Sequence, residues 1–345
     1  MTLQSEIFEQ PERLSALLAN QRRSIEKIAQ TIQQHGIRWV FLAARGTSDN
    51  AGRYVNYLLG AQNGLPLALA TPSLFTFYNQ PPQLKDALVV GISQSGQSPD
   101  IVSVLAEGRR QGCLTVAITN EPASPLANTA DLVMDIQAGS EKAVAATKTY
   151  TTELMSVAML SAALSGNKAF WKELAKVPGW IEKVLKQDAP IARMAERYRY
   201  MRQCVVLGRG FNYCTAFEWA LKLKELTYVV AEPYSSADFR HGPIAMIECG
   251  FPVMAVAPNG KVIDTMLEML ENLRCEHSAE LVVISDEKRA LSLAQSPIPL
   301  PPGIPEWLTP LVSIVPAQLL AGHLMRAKGY DREKPRTIGK ITGTQ

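Results

Sequence analysis

The chain has 345 residues, of which 47% are hydrophobic and 19% charged, enough apolar material for two domains of ordinary size. Its 35 basic and 32 acidic residues give a formal charge of only +3, with no concentrated basic face. This balance argues against nucleic acid or an anionic membrane as the partner, although a local anion site remains compatible with it.

The N-terminus and the cysteines indicate a cytoplasmic protein. The opening residues are polar and acidic, where a signal peptide would be basic and then apolar. The most apolar later stretch, residues 154–165, is too short to span a bilayer. The five cysteines are odd in number and widely spaced, as expected of reduced thiols rather than a disulfide frame or a zinc site. We therefore predict neither export nor membrane insertion.

Short runs rich in Val, Ile and Leu alternate with helical periodicity in the first half. The pattern predicts βαβ units and a parallel sheet. The four predicted strands are residues 39–42, 87–92, 114–118 and 132–136. Residues 147–164 and 168–200 follow as predicted helices.

The second half repeats the first. Residues 205–210 echo residues 40–46, and Gly96 and Gly260 each lie 50 residues beyond the glycine of an Arg-Gly pair. The alternative is two generic βα turns. We predict a duplicated α/β domain, with an N-terminal domain over residues 1–165 that includes a leading helix. A second domain over 166–330 and a C-terminal tail over 331–345 complete the predicted organisation.

A polar turn, Ser93-Gln94-Ser95-Gly96, follows the second predicted strand. Ser98, Pro99 and Asp100 then suit the N-cap and first turn of a helix. Ligands of open parallel sheets bind at such strand ends, where serine hydroxyls and helix N–H groups can hold a phosphate without a lysine. The alternative is a serine-rich turn that only caps its helix.

Two other helix starts have a related composition. Arg45-Gly46-Thr47-Ser48-Asp49 follows the first predicted strand and repeats the small residue and hydroxyls. Residues 141–148 follow the predicted strand 132–136, but there an ordinary helix start is favoured. The sequence thus predicts two polar cradles at strand ends.

The second half carries ionisable residues at helical spacing. Glu218, Lys222 and Glu225 fall at i, i+4 and i+7 on one helix face, which by itself favours a solvated ladder of salt bridges. His241 lies in a loop before Gly242-Pro243, and a lone histidine is more often structural than catalytic. Periodicity alone does not connect these groups.

At these residues the chain resembles the tandem sugar isomerase (SIS) family, in the form found in the isomerase half of glucosamine-6-phosphate synthases. Six segments match in the family's order and cover nearly the whole chain. They are Arg-Gly-Thr-Ser (45–48), Ile-Ser-Gln-Ser-Gly (92–96), Ala-Thr-Lys (146–148), Ala-Leu-Lys-Leu-Lys-Glu-Leu (220–226), His-Gly-Pro (241–243) and Lys-Pro-Arg…Lys340.

The resemblance implies two flavodoxin-like, doubly wound parallel sheets in a homodimer, and no metal or organic cofactor. Glu225 matches the base that moves a proton between C1 and C2. Lys222 matches a lysine that assists it, and Lys340 one that forms an imine with the open-chain ketose. His241 matches the histidine that opens the ring, acting across the subunit interface. The positions that match ligands of a hexose 6-phosphate are Thr47, Ser48, Ser93, Gln94, Ser95, Ser98, Val144 and Ala146.

The chain departs from the synthase pattern at several points. Met1 leads directly into the SIS portion, with no cysteine before Cys113, so we expect no glutaminase and no glutamine-derived nitrogen. Ala146 stands where the synthases have serine, and Gln97-Ser98 replaces Glu-Thr. We favour a glucosamine-6-phosphate deaminase. The alternatives are a fructosamine-6-phosphate deglycase, a galactosamine- or tagatose-type isomerase, and a non-catalytic sugar-phosphate sensor.

Overall fold

The structure is a computed structural model that describes residues 3–330 and Arg336. Contacts divide these residues into two units, one of residues 9–176 and one of residues 3–8, 177–330 and Arg336. The first helix, α1 (Leu3–Phe8), therefore belongs to the same unit as the C-terminal half of the chain.

The unit of residues 9–176 alternates strands and helices. Its elements are α2 (Gln10–Gln34), β1 (Trp39–Ala43), α3 (Gly46–Asn63), β2 (Leu67–Leu69), α4 (Ser73–Thr76), β3 (Ala87–Ile92), α5 (Pro99–Arg110), β4 (Leu114–Thr119), α6 (Pro125–Thr129), β5 (Leu132–Asp135), α7 (Lys148–Ser165) and α8 (Lys168–Leu174). The strands form one parallel sheet in the order β2-β1-β3-β4-β5. All residues of β3 and β4 are buried, as expected of strands covered on both faces.

The other unit repeats this arrangement. After α1 its elements are α9 (Val177–Leu185), α10 (Asp188–Arg197), β6 (Gln203–Gly208), α11 (Tyr213–Thr227), β7 (Val230–Ser235), α12 (Ser236–Phe239), β8 (Pro252–Val256), α13 (Ile263–Cys275), β9 (Glu280–Ser285), α14 (Lys288–Leu293), β10 (Ser296–Pro299) and α15 (Thr309–Ala327). Its parallel sheet has the order β10-β9-β8-β6-β7.

Numbered within each unit, both sheets have the flavodoxin-like order 2-1-3-4-5, which confirms the predicted duplication and fold class. The strand order reverses between β1 and β3 in one sheet and between β6 and β8 in the other. Ala43 pairs with Gly91 at the carboxyl ends of β1 and β3, so the loops that follow these two strands leave the sheet side by side. Ligands of this topology bind in the crevice at such a switch point.

The described segment that is long and apolar enough to cross a membrane is Glu306–Ala327, not the stretch 154–165 singled out from the sequence. Its mean hydropathy is 1.4, but 94% of that window is buried inside the protein. It contains α15, which packs against α9, α10 and α11, so its apolar surface already has protein partners. Burial of this kind is typical of a core helix and gives only weak support for a membrane span.

Candidate active site

The turn after β3 is held by its own serines. The N–H of Gly96 donates to Ser93 Oγ at 3.1 Å, and the N–H of Gln97 donates to Ser95 Oγ at 3.3 Å. The carbonyl of Gln94 accepts from the N–H of Asn120 at 3.1 Å, which ties the turn to the end of β4. Each serine hydroxyl thus accepts a backbone bond and retains its O–H as a donor. The two serines thus stabilise the turn, and their O–H groups can still donate hydrogen bonds to a ligand.

Gly96 closes this turn in a conformation that only glycine fits. Its φ is +61°, and an added Cβ would lie 2.0 Å from Ser124 Oγ. We expect Gly96→Ala to lower the free energy of unfolding by roughly 3 kcal/mol, from left-handed strain plus overpacking. Gly112→Ala is the matched control, because Gly112 has φ +78° with no neighbour within 4 Å, and should lose only about 1 kcal/mol. Urea unfolding measures both, and equal losses would contradict the steric argument.

Helix α5 begins where the sequence predicts, but its first turn is used differently. Ser98 is the N-cap residue, as predicted, although its side chain makes no capping hydrogen bond. Asp100 is fully buried instead. Its carboxylate accepts the N–H of Ile101 at 2.9 Å and Arg45 Nε at 2.8 Å. Part of the helix N-terminus is therefore already satisfied by a carboxylate of the protein.

The turn after β1 brings its hydroxyl residues to the same edge of the sheet. Gly46 has φ +53°, which lets the chain pass directly from strand to helix. Ser48 is buried, and its Oγ donates to Glu153 Oε1 of α7 at 2.8 Å. Thr47 is half-buried beside it. Of the two predicted sugar-binding hydroxyls, that of Ser48 is thus oriented by a buried carboxylate.

Residues 141–147 form the ordinary helix start that the sequence favours. Glu141 Oε1 accepts the N–H groups of Thr147 and Thr149 at 2.9 and 3.2 Å, which caps α7. Val144 and Ala146 are half-buried in the same loop. Because the carboxylate of Glu141 already occupies the helix N-terminus, this loop is not a third anion cradle.

Helix α11 carries an ionic cluster that is mostly buried. The helical spacing alone favours a solvated cluster. The side chains of Glu218 and Lys222 are 0% and 1% exposed, so the solvated-ladder interpretation is wrong. Lys222 Nζ lies 3.3 Å from Glu218 Oε1 and donates to Glu225 Oε2 at 2.6 Å. Burial opposes the charged form of Lys222, but the two carboxylates outweigh it and raise its pKa. Lys222 is therefore an ammonium group held between two carboxylates.

Glu225 differs from the other two members of this cluster. Its side chain is 25% exposed and reaches solvent, whereas the ammonium behind it is almost completely buried. A carboxylate in this position can exchange protons with a bound molecule, while its ammonium partner stays fixed.

His241 is exposed and lies between α12 and the short 3-10 helix Pro243–Met246. Its backbone N–H donates to the carbonyl of Asp238 at 3.0 Å, and its ring makes no hydrogen bond to a described residue. Lys340 lies outside the described residues. From the same tail, the backbone N–H of Arg336 donates to Tyr228 Oη at 2.9 Å, at the end of the helix that carries Glu225.

The second switch point differs from the first. An added Cβ at Gly260, the counterpart of Gly96, would lie 2.3 Å from Glu306 Cδ. The N–H of the preceding residue, Asn259, donates to Asp286 Oδ1 at 2.7 Å. Two carboxylates of the protein thus lie where the corresponding turn of the other unit keeps free hydroxyl donors.

The structure groups the predicted site residues within each unit. Ser93, Gln94, Ser95 and Ser98 share one turn next to Thr47 and Ser48, and Lys222 contacts Glu225. Reasoning from the sequence missed Arg45, Asp100 and Glu153 as partners of these residues, because their contacts join distant segments. The contact between Glu218 and Lys222, by contrast, could be predicted from their i, i+4 spacing. Among the described residues, no group of three or more His, Cys, Asp or Glu side chains is placed to hold a metal ion.

Comparisons with known proteins agree with this architecture. Residues 36–163 and 198–327 each match the SIS domain. The chain is 34% identical over 349 residues to the isomerizing glutamine–fructose-6-phosphate aminotransferase of Thermococcus kodakarensis, with 97% of this chain and 56% of that protein covered. The chain thus spans about half the length of the curated relatives it matches.

Solved structures show the same fold. The C-terminal domain of glucosamine-fructose-6-phosphate aminotransferase from Francisella tularensis superposes with a TM-score of 0.86 at 26% identity, covering 96% of this chain and 98% of that one. A glucosamine-6-phosphate deaminase from Thermotoga maritima has a TM-score of 0.79 at 20% identity over 100% of both chains, a likeness of fold alone. With two matched domains and two sheets of identical topology, the chain belongs to the SIS family as a tandem SIS protein, close to the isomerase half of the aminotransferases.

Proposed function

We propose that this chain is an amino-sugar phosphate isomerase that also deaminates, converting glucosamine 6-phosphate and water into fructose 6-phosphate and ammonia. The observation that carries the proposal is the 2.6 Å contact between Lys222 Nζ and Glu225 Oε2 on a helix with the family's sequence pattern. A sensor that only bound the sugar would have no need for a buried ammonium behind a solvent-reaching carboxylate. The expectation of a homodimer in a cytoplasmic setting belongs to the same proposal.

Glu225 and Lys222 have different roles in this scheme. Glu225, as a carboxylate, takes the proton from C2 of the open-chain amino sugar and returns it to C1. Lys222 cannot act as a base, because its neighbours raise its pKa and keep it protonated. Its positive charge instead stabilises the electron-rich enaminol between the two proton transfers.

The remaining roles come from the resemblance. Ser93, Gln94, Ser95 and Ser98 would bind the phosphate, and the residues placed along the sugar would be Thr47, Ser48, Val144 and Ala146. His241 of the partner subunit would open the ring. Lys340 would form an imine with the ketose.

The reaction balances without an external oxidant or reductant. Ring opening gives an aldehyde at C1 with the amine on C2, and proton transfer from C2 to C1 converts this pair into a C2 imine and a C1 alcohol. The amine of Lys340 adds to C2 and expels ammonia. Water then hydrolyses the lysine imine, which releases fructose 6-phosphate and the free lysine.

The test is to incubate the purified chain with glucosamine 6-phosphate, without glutamine, and to measure ammonium and fructose 6-phosphate together. Equal release of both supports the deaminase. Isomerised sugar without ammonium would indicate a simple ketose–aldose isomerase. Turnover of fructosamine 6-phosphates alone would indicate a deglycase, and binding without turnover of any of these compounds would indicate a sensor.

A further inference from the structure

We propose that Arg45 is an additional ligand for the phosphate of the substrate and that Asp100 holds it in place. The inference rests on the proposed function, because it adds a cationic residue to the phosphate turn of that same site. Arg45 is not among the residues that the family resemblance assigns.

The position of Arg45 is the first argument. It lies just beyond the carboxyl end of β1, as the extended N-cap residue of α3, with φ −139° and ψ 154°. Its Nε donates to Asp100 Oδ2 at 2.8 Å, and Asp100 belongs to the first turn of α5, directly after the Ser93–Ser98 turn. The contact therefore joins the two polar turns at the switch point of the sheet.

The unused donors of the side chain are the second argument. A guanidinium carries five N–H groups in one plane, and Asp100 takes the single one on Nε. The Arg45 side chain is 51% exposed, and its Nη groups donate to no described residue. A planar pair of N–H donors fits two phosphate oxygens better than a lysine ammonium does.

Local charge is the third argument. Asp100 is a buried carboxylate at the start of α5, where the helix dipole would otherwise favour the incoming phosphate. Without compensation, the two anions would repel each other across this turn. Arg45 neutralises Asp100 and supplies further positive donors. The other nearby acid is Asp49. Its Oδ2 lies 3.3 Å from Arg53 Nη2, so Asp49 has a cationic partner other than Arg45.

The alternative is that Arg45 only ties the two turns together. Calorimetric titration of glucosamine 6-phosphate and of unphosphorylated glucosamine separates the two roles, because a phosphate ligand affects the first compound far more than the second. We expect Arg45→Gln to weaken binding of glucosamine 6-phosphate by about 10- to 100-fold. Arg45→Lys, which keeps the charge but loses the planar fork, should recover part of this loss.

Arg110→Gln is the matched control. Arg110 lies at the other end of α5, is 71% exposed and pairs with Glu107, so its loss should leave binding unchanged. Thermal unfolding shows whether each variant is folded. If Arg45→Gln does not fold, Arg45→Met replaces it, and binding of glucosamine 6-phosphate within threefold of the wild type would overturn the proposal.

The outcomes separate the two claims. A wild-type chain that binds no hexose 6-phosphate overturns the proposed function and this inference with it. If the wild type binds and folded Arg45→Gln binds equally well, the role of Arg45 alone is overturned. Equal weakening toward phosphorylated and unphosphorylated sugar would show that Arg45 is only structural. Phosphate-selective weakening with partial rescue by Arg45→Lys supports it.

Discussion

Glu225→Gln is expected to lower kcat for glucosamine 6-phosphate by about 10²- to 10⁴-fold, the range typical of losing a general acid–base group. The amide keeps the size of the side chain and can still contact Lys222, so the helix should fold normally. It cannot accept the C2 proton, and both the isomerisation and the release of ammonia that depends on it should therefore fail. Sugar-phosphate binding, measured by calorimetry, should change little.

Glu232→Gln provides the control for this variant. Glu232 is an exposed carboxylate on β7, in the same unit as Glu225. Its neutralisation should leave kcat within about twofold of the wild type, since surface substitutions away from a site have small effects. Substantial residual activity in Glu225→Gln, with normal folding in both variants, would show that another group is the base.

Lys222→Met is expected to cost both activity and stability. The substitution removes the ammonium that lies 3.3 Å from the fully buried carboxylate of Glu218 and 2.6 Å from that of Glu225. Removing one member of a buried ionic group typically costs about 3–5 kcal/mol. Urea unfolding at pH 7 measures this loss of stability. Activity should also fall, because the enaminol loses the positive charge that stabilises it.

A second substitution tests the electrostatic origin of that loss. Glu218→Gln combined with Lys222→Met removes one buried charge of each sign and should recover part of the stability, so the two effects should not be additive. Activity should stay low in the double variant, because the ammonium next to Glu225 is still missing. Additive losses would mean that shape, rather than charge, dominates at this position.

The pH dependence of the stabilisation follows from the raised pKa of Lys222. A lysine whose pKa is higher in the folded state contributes stability that is fully present below its ordinary value of 10.5. This contribution is lost only as the pH rises through the folded pKa. The wild type should thus keep this contribution in full between about pH 6 and about pH 9, which urea unfolding across that range measures.

The central strands and the edge strand β5 were predictable, whereas the edge strands β2, β7 and β10 were not. β3 was predicted with both ends correct, because a buried parallel strand is a continuous apolar run. β2 has three residues, and β7 and β10 contain proline, so none of the three has the pattern of a central strand. Edge strands form because a neighbouring strand offers unpaired backbone groups, which is information that the local sequence lacks.

The candidate site shows the same division. The serine turn and the helix start at Pro99 are local features and could be found from spacing. Helix α11, which carries the buried Lys222, packs against α15 from nearly 100 residues away in the chain. The partner of Asp100 is 55 residues away in the sequence. Contacts of this kind decide whether a charge is solvated or buried, and periodicity cannot predict them.

The carboxylates at the second switch point affect how many sugar phosphates one chain binds. Glu306 packs against Gly260 and Asp286 accepts the N–H of Asn259, so negative charge already fills the turn that corresponds to the phosphate turn of the other unit. A phosphate ester would meet electrostatic repulsion there. Of the two corresponding turns that the structure describes, only the Ser93–Ser98 turn therefore keeps hydroxyl donors for an anion, and we expect saturation at one equivalent of sugar phosphate per chain.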